Sequence, residues 1–168
     1  VYDTLLRFEL GFVDGVSKIS NTPSLAVGWD VSKDRKSVTI DLAQGVRWHN
    51  GKELTSDDVV HTFTRILGTA AQKSFIPTLE KTEAVGKYSA TITTAKPYFP
   101  ITTALANSRF SILPSAETLG IDEVGPDTYQ SDLIGTGAFK WVGKKQDEWE
   151  RLERNENYWV KDENGDQL

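Results

Sequence analysis

Cysteine is absent from all 168 residues, which removes disulfides, thiolate metal sites and cysteine nucleophiles. The compartment stays open, because exported proteins also do without cysteine. No stretch approaches the roughly 18 apolar residues of a membrane span, and the mean hydropathy of −0.40 agrees with a water-facing chain. No basic start leads into an apolar run, so no secretory leader is readable here. A basic tract is missing too. Lys+Arg number 19 against 24 Asp+Glu, a net charge of −5, which suits a phosphate backbone poorly and makes nucleic acid an unexpected partner. Histidine is scarce, with two in the chain, and neither a Gly-x-Ser-x-Gly elbow nor a His-Glu-x-x-His helix occurs.

What is present is enough for a core. Apolar residues make up 38% and aromatics 10%, so wholesale disorder is not expected and the length suits about one domain. The chain opens on Val1 within a strand-like run to Phe8 and ends on a hydrophilic stretch, Lys161 to Leu168. We therefore expect a piece of a longer protein, lacking its natural beginning and cut in a loop.

The patterning predicts a mixed α/β (α+β) chain. Gly11 to Ser24 reads as a hairpin or loop, Leu25 to Val31 as a strand, and Val38 to Leu42 as a strand with period-2 alternation. Gly45 to Trp48 reads as a further strand, and the Asn50-Gly51 pair after it as a turn. Thr55, three residues before Asp58, begins a helix whose apolar face carries Val59, Val60, Phe63, Ile66 and Leu67, with Gly68 placed as its C-cap. A short or broken helix is expected from about Gln72 to Lys81 because of Pro77. Val85 to Thr94 reads as a hairpin, the stretch to Ala106 as a short helix, and Ser111 to Pro114 as a buried strand before a helical turn. Asp122 to Ile134 reads as irregular, and Ala138 to Val142 with Trp149 to Arg154 as a final hairpin.

Candidate chemistry is thin. His49 lies in a turn and His61 on a helix edge, so both read as structural. Asp57-Asp58 could act as an acid/base pair, but the first turn of a helix favours carboxylates for electrostatic reasons alone. Replacing both by Asn is expected to cost only about 0.5–2 kcal/mol. Gly135-Thr136-Gly137 precedes a strand and lacks a following Lys-Ser/Thr, so it reads as backbone geometry, not a phosphate loop. The interleaved charges from Lys144 to Glu156 read as a solvated face with no EF-hand spacing. Five Trp could form a sugar-stacking platform, which would make the chain a carbohydrate-binding module; each also lies in or beside an expected strand, where core is the plainer role.

Several segments in order resemble the extracellular solute-binding proteins of family 5, the peptide- and nickel-type receptors of ABC importers. Leu25-Ala26-Val27-Gly28-Trp29-Asp30-Val31 and Asp34 to Leu42 resemble "LA-x-x-W-x-x-S-x-DG-x-x-x-T-F-x-L". Gly45 to Val59 (GVRWHNGKELTSDDV) resembles "GVKFHDGTPLTAEDV", Gly135 to Lys140 resembles "GTGPYK", and Arg154 to Trp159 resembles "RN-x-x-YW". Arg35 stands where the pattern has Gly, and Ala138 where it has Pro.

The resemblance implies a non-enzymatic receptor of two lobes that close on a solute and deliver it to an ABC permease in the membrane. It implies a periplasmic or extracellular protein, with a lipid anchor at the cell surface as one form. Residues 1–35 and 135–168 would supply first-lobe strands and residues 36–134 an extra subdomain, with the second lobe absent. A di- or oligopeptide is the expected solute; nickel chelates and oligosaccharides are the alternatives within the family. No cofactor, metal or catalytic residue is implied. By position, Phe75 and the run Asn107, Ser108, Arg109 and Phe110 should face the cleft, with Tyr2 a third candidate. Arg109 would meet a carboxylate and Phe75 would stack on the ligand. Alone, the piece should bind weakly, because closure needs both lobes.

Overall fold

The computed structural model describes residues 1–13, 16–125, 127–131 and 133–166. Its framework is one antiparallel four-stranded sheet and two separate hairpins. The sheet contains β3 (Ala26–Val31), β4 (Ser37–Leu42), β5 (Leu79–Gly86) and β6 (Ser89–Thr94), in the order β3-β4-β6-β5. One hairpin pairs β1 (Leu6–Val13) with β2 (Val16–Pro23), and the other pairs β7 (Phe139–Lys145) with β8 (Trp149–Arg154). The helices are α1 (Ser56–Gly68), α2 (Ala70–Lys73), α3 (Ile101–Leu105), α4 (Ala116–Leu119) and α5 (Thr128–Ser131). The sheet spans the boundary expected near residue 35, since β3 and β4 flank it and pair across a turn.

Alternation gives the sheet its buried face. Val38 lies opposite Ile92 and Ile40 opposite Ala90, and all four are fully buried. Helix α1 covers that face, lying against β5 and β6 and burying Val59, Phe63 and Ile66. The hydrophobic period of α1 therefore matches its packing. Its C-terminus does not follow the sequence reading. Gly68 is the last helical residue, and Thr69, in extended conformation, forms the cap.

Two further expectations need correcting. The second helix stops at Lys73, and residues from Leu79 onward form β5 instead. Its buried positions, Leu79 and Thr82, are three apart because a register shift between Leu79 and Lys81 interrupts the alternation; a bulge adds one residue and mimics helical spacing. Residues 111–114 are buried at Ile112 and Pro114 but form no strand. Ile112 donates its N–H to the Asp3 carbonyl at 2.9 Å, Leu113 donates to the Thr62 hydroxyl at 2.9 Å, and Pro114 has no N–H to extend a ladder. Gly45 to Trp48 contributes only an isolated bridge, Arg47 with Glu53.

Polar nodes close the chain on itself. The buried Asp3 carboxylate accepts from Arg7 Nη2 at 3.1 Å, Thr136 Oγ1 at 3.0 Å and Trp159 Nε1 at 3.3 Å. Arg7 also donates to the Tyr158 hydroxyl at 3.0 Å. The Gly135-Thr136-Gly137 segment lies against the first residue, with the Gly137 N–H donating to the Val1 carbonyl at 2.8 Å.

His49 holds the same segment. Its Nδ1 accepts from the Gly135 N–H at 3.2 Å, so Nε2 carries the proton and donates to the Gly137 carbonyl at 2.9 Å. Burial lowers the pKa of His49, and burial also lowers that of His61. A histidine whose folded pKa is depressed stabilises the fold fully above its unfolded value near 6.5 and loses that contribution as pH falls through the folded value. The melting temperature should therefore drop between pH 7 and pH 5. A His49→Gln/His61→Gln protein should show a flatter dependence in that window, read by thermal melts; an unchanged slope would remove the histidines from the explanation.

Candidate ligand-binding surface

One set of aromatic rings runs from the core to the surface. Phe63 on α1 is fully buried and stacks on Phe110, with centroids 6.4 Å apart and planes at 15°. Phe110 meets Phe75 edge to face at 6.5 Å and 75°. Phe75 is 43% exposed, and the Arg109 guanidinium lies 4.5 Å from the centre of its ring. Such edge and offset contacts follow from the ring quadrupoles, and a cation over a ring face gains from the same charge distribution.

The backbone fixes both ends of this ladder. Residues Ser108–Phe110 form a 3₁₀ turn, and Asn107 caps it by accepting the Arg109 N–H on Oδ1 at 3.0 Å. The Ser108 carbonyl accepts from the Ser111 hydroxyl at 2.8 Å. On the other side, the Tyr98 hydroxyl donates to the Phe75 carbonyl at 3.1 Å. Arg109 and Phe75 are thus held as a fixed shelf. Among the described residues the Arg109 side chain makes no hydrogen bond or ion pair, so its donors are free for a ligand.

The structure sorts the candidates named from sequence. Phe75 and Arg109 come together at the surface. Phe110 is 2% exposed and supports them from beneath, Asn107 spends its side-chain oxygen on the cap, and Ser108 is exposed on the same turn. Tyr2 stands apart, with no hydrogen bond or ring contact to the ladder. Its hydroxyl is buried without a hydrogen-bond partner among the described residues, and burial raises its pKa.

A neighbouring cluster was not singled out from sequence. His61 Nε2 lies 2.7 Å from the Tyr129 hydroxyl, which donates to the Pro114 carbonyl at 2.7 Å. The hydroxyl hydrogen is thereby used, so His61 is the donor to Tyr129. Arg65 lies over the Tyr129 ring at 4.9 Å, and burial pushes the Tyr129 pKa up to about 12. The i,i+4 pair His61 and Arg65 on one helix face was the available signal; Tyr129 sits in a stretch without periodicity.

Rival chemistries find little support. Asp58 is fully buried and Asp57 exposed, so the two carboxylates do not converge on a shared cavity. Asp58 Oδ2 accepts from Trp48 Nε1 at 3.2 Å and from the Thr55 N–H at 3.1 Å. Its Oδ1 accepts from the Ser115 N–H at 2.9 Å and Thr118 Oγ1 at 2.7 Å. A sugar platform would need two exposed Trp on a flat face. Trp48 is buried, Trp29, Trp141 and Trp159 are partly buried, and Trp149 alone among the described residues is exposed. Among those residues no three His, Asp or Glu are placed to hold a metal.

Residues 21–168 match the bacterial extracellular solute-binding proteins, family 5 middle. The chain belongs to this family. It is a family of binding proteins, not of enzymes. Heme-binding protein A of Haemophilus influenzae is 32% identical over 95% of the chain and 32% of its own length. The dipeptide-binding protein of Escherichia coli is 28% identical, again over 95% of the chain and 32% of its own length. NikZ from Campylobacter jejuni, solved in complex with Ni(L-His), superposes with a TM-score of 0.79 at 26% identity, covering 95% of this chain and 31% of that one. The family 5 chain thus spans about a third of the length of the curated relatives it matches. The mixed α/β architecture is that of one part of a two-lobed periplasmic-binding-protein-like receptor.

Proposed function

We propose that the chain is part of the solute-binding component of an ABC importer, and that its solute is a di- or oligopeptide. The observation that carries the reading is the Phe75–Arg109 shelf, a rigid aromatic surface with a guanidinium over its ring that makes no hydrogen bond or ion pair among the described residues. A guanidinium offers paired donors that fit a carboxylate, and the ring beneath holds it in place before the ligand arrives. A peptide's terminal or side-chain carboxylate would sit on Arg109, with its neighbouring apolar group against Phe75. The dipeptide-binding relative supports the solute class, while the relatives named for heme and nickel mark the alternatives within the same architecture.

The mechanism is capture between lobes. The ligand first touches the shelf on this lobe, and closure of a second lobe adds contacts that only the closed state makes, shifting the population to it. The closed receptor is then presented to a membrane permease, in the periplasm or from a lipid-held position at the cell surface. Binding by this lobe alone stays weak because half of the contacts are missing.

Calorimetry on the intact receptor tests the reading. Peptides with a free carboxylate should bind, and Arg109→Ala should weaken them by roughly ten- to a hundredfold, in line with the ~1.5–3 kcal/mol of a charged hydrogen bond. The C-terminally amidated peptide, if the terminus is the group read, should lose as much on the unaltered protein and nothing further on Arg109→Ala. Binding of heme or Ni(L-His) in preference to every peptide tried would replace the solute class and keep the receptor.

A further inference from the structure

Joined to the Phe75 shelf through Tyr98 but lined by other residues, a groove of about 410 Å³ opens beside β3, an edge strand of the four-stranded sheet. Its walls include Trp29 and Val31 on the strand, Lys33 and Arg35 in the following turn, and Tyr98 and Phe99 ahead of α3. The Tyr98 N–H donates to the Arg35 carbonyl at 3.0 Å, which ties the two walls together.

Arg35 is the unusual element. Its φ is 57°, in the left-handed region that glycine occupies freely and a long side chain does not. The chain keeps an arginine there, and its guanidinium lies 4.1 Å from the centre of the Phe99 ring. Phe99 is 73% exposed. The left-handed residue closes the β3–β4 turn, where the Arg35 N–H donates to the Ser32 carbonyl at 2.8 Å, and this geometry carries the guanidinium onto an exposed ring at the rim of the groove.

The turn beside the groove is net positive, since Lys33, Arg35 and Lys36 outnumber Asp34. Among the described residues the Arg35 and Lys33 side chains make no hydrogen bond or ion pair. Asp34, the acid between them, is occupied within the turn: Oδ1 accepts from Ser32 Oγ at 2.7 Å and from the Lys36 N–H at 3.1 Å. Asp30 is exposed but points to the other face of β3 from Trp29 and Val31. A positive, aromatic patch therefore stands out on a chain whose net charge is −5.

We propose that this groove is a docking site for an extended, acidic segment of a partner protein. A carboxylate of the segment would lie on Arg35 and Lys33, and an apolar side chain beside it would fill the space between Phe99 and Trp29. Charge complementarity selects the acidic partner and speeds its encounter; β3 is engaged by Leu5 and Ser24 at Ala26, and its Trp29–Val31 end, which lines the groove, is where an extended chain would lie. The proposal is independent of the solute bound at the Phe75 shelf.

The test uses the intact receptor and a head-to-tail cyclic peptide of alternating Glu and Phe, immobilised on a biosensor through a single Lys side chain so that it offers no chain terminus to a solute cleft. The unaltered protein should be captured, and the matching Gln and Phe ring should capture it at least tenfold more weakly. Arg35→Gly and Phe99→Ala should each lose at least tenfold in affinity, while Arg109→Ala keeps it. Arg35→Gly relaxes the left-handed backbone, so its melting temperature should be unchanged or higher, which separates lost binding from lost folding. Equal capture by the Glu and Gln rings, or full capture of Arg35→Gly and Phe99→Ala, would overturn the proposal. Loss on Arg109→Ala with retention on Arg35→Gly would place the peptide on the Phe75 shelf and overturn it equally.

Discussion

Asp58→Ala should destabilise the protein by roughly 3–5 kcal/mol, whereas Asp57→Ala should cost about 0.5 kcal/mol. Asp58 sits in the first turn of α1 with no exposed surface, and its two oxygens each accept two hydrogen bonds. The donors come from the turn before the helix and from the segment that begins α4, so the carboxylate joins three parts of the chain. Removing it strands the Trp48 indole N–H and the Ser115 backbone N–H. Each buried donor left without a partner costs about 1–3 kcal/mol.

Asparagine is no remedy. Whichever way its amide is turned, the NH₂ faces two groups that are donating. The Thr118 hydroxyl could reverse its role, but the Ser115 N–H beside it cannot. Asp58→Asn should therefore cost roughly 2–4 kcal/mol, more than a weakened helix cap alone. Urea denaturation of the intact receptor, comparing both positions, would show the asymmetry; an Asp58→Ala stability within about 1 kcal/mol of the parent would mean that water replaces the lost oxygens.

Gly135→Ala should be the second severe change, costing roughly 3 kcal/mol or more. Neither Gly135 nor Gly137 has a positive φ among the described residues, so conformational freedom is not the reason for glycine here. Space is. A Cβ at Gly135 would run into the Val1 carbonyl, and one at Gly137 would come within 2.7 Å of the same oxygen. The obstacle is backbone, held by the Gly137 N–H and near the Asp3 node, so it cannot turn aside as a flexible side chain would. Gly68 is the contrast. A Cβ there meets nothing within 4 Å, and Gly68→Ala should be neutral or stabilise by up to ~1 kcal/mol. Thermal melts of the two variants order the effects, and a mild Gly135→Ala would show that the segment at Val1 can move away.

These two cases mark how far the sequence could be read. The helix was legible because its period and its Thr55–Asp58 start are local, and β4 because its alternation is uninterrupted. The weight carried by Asp58 was not, since Trp48 and Thr118 lie 10 and 60 residues away along the chain. Gly135-Thr136-Gly137 could be recognised as backbone geometry, but not that the neighbour is Val1. β5 was obscured by its register shift. At the candidate surface, the residue types at Phe75 and Arg109 suggested ring and carboxylate contacts, and position came from the family pattern. That Phe110 is the buried rung beneath them depends on its meeting Phe63, 47 positions earlier in the sequence.

The Asp3 node also sets an order of events for the newborn chain. Two of its partners, Thr136 and Trp159, are 133 and 156 positions downstream, so the carboxylate waits for donors made long after it. At about 5–20 residues per second, a ribosome needs roughly 8–30 s to produce the indole that completes the cluster. During that interval the four-stranded sheet and α1, whose strands and helix all lie between residues 26 and 94, can associate before the Asp3 cluster is complete. Closure around Asp3 is then a later, long-range step, the kind that slows folding, and a chain caught before it would hold the sheet and α1 with the Asp3 cluster still open.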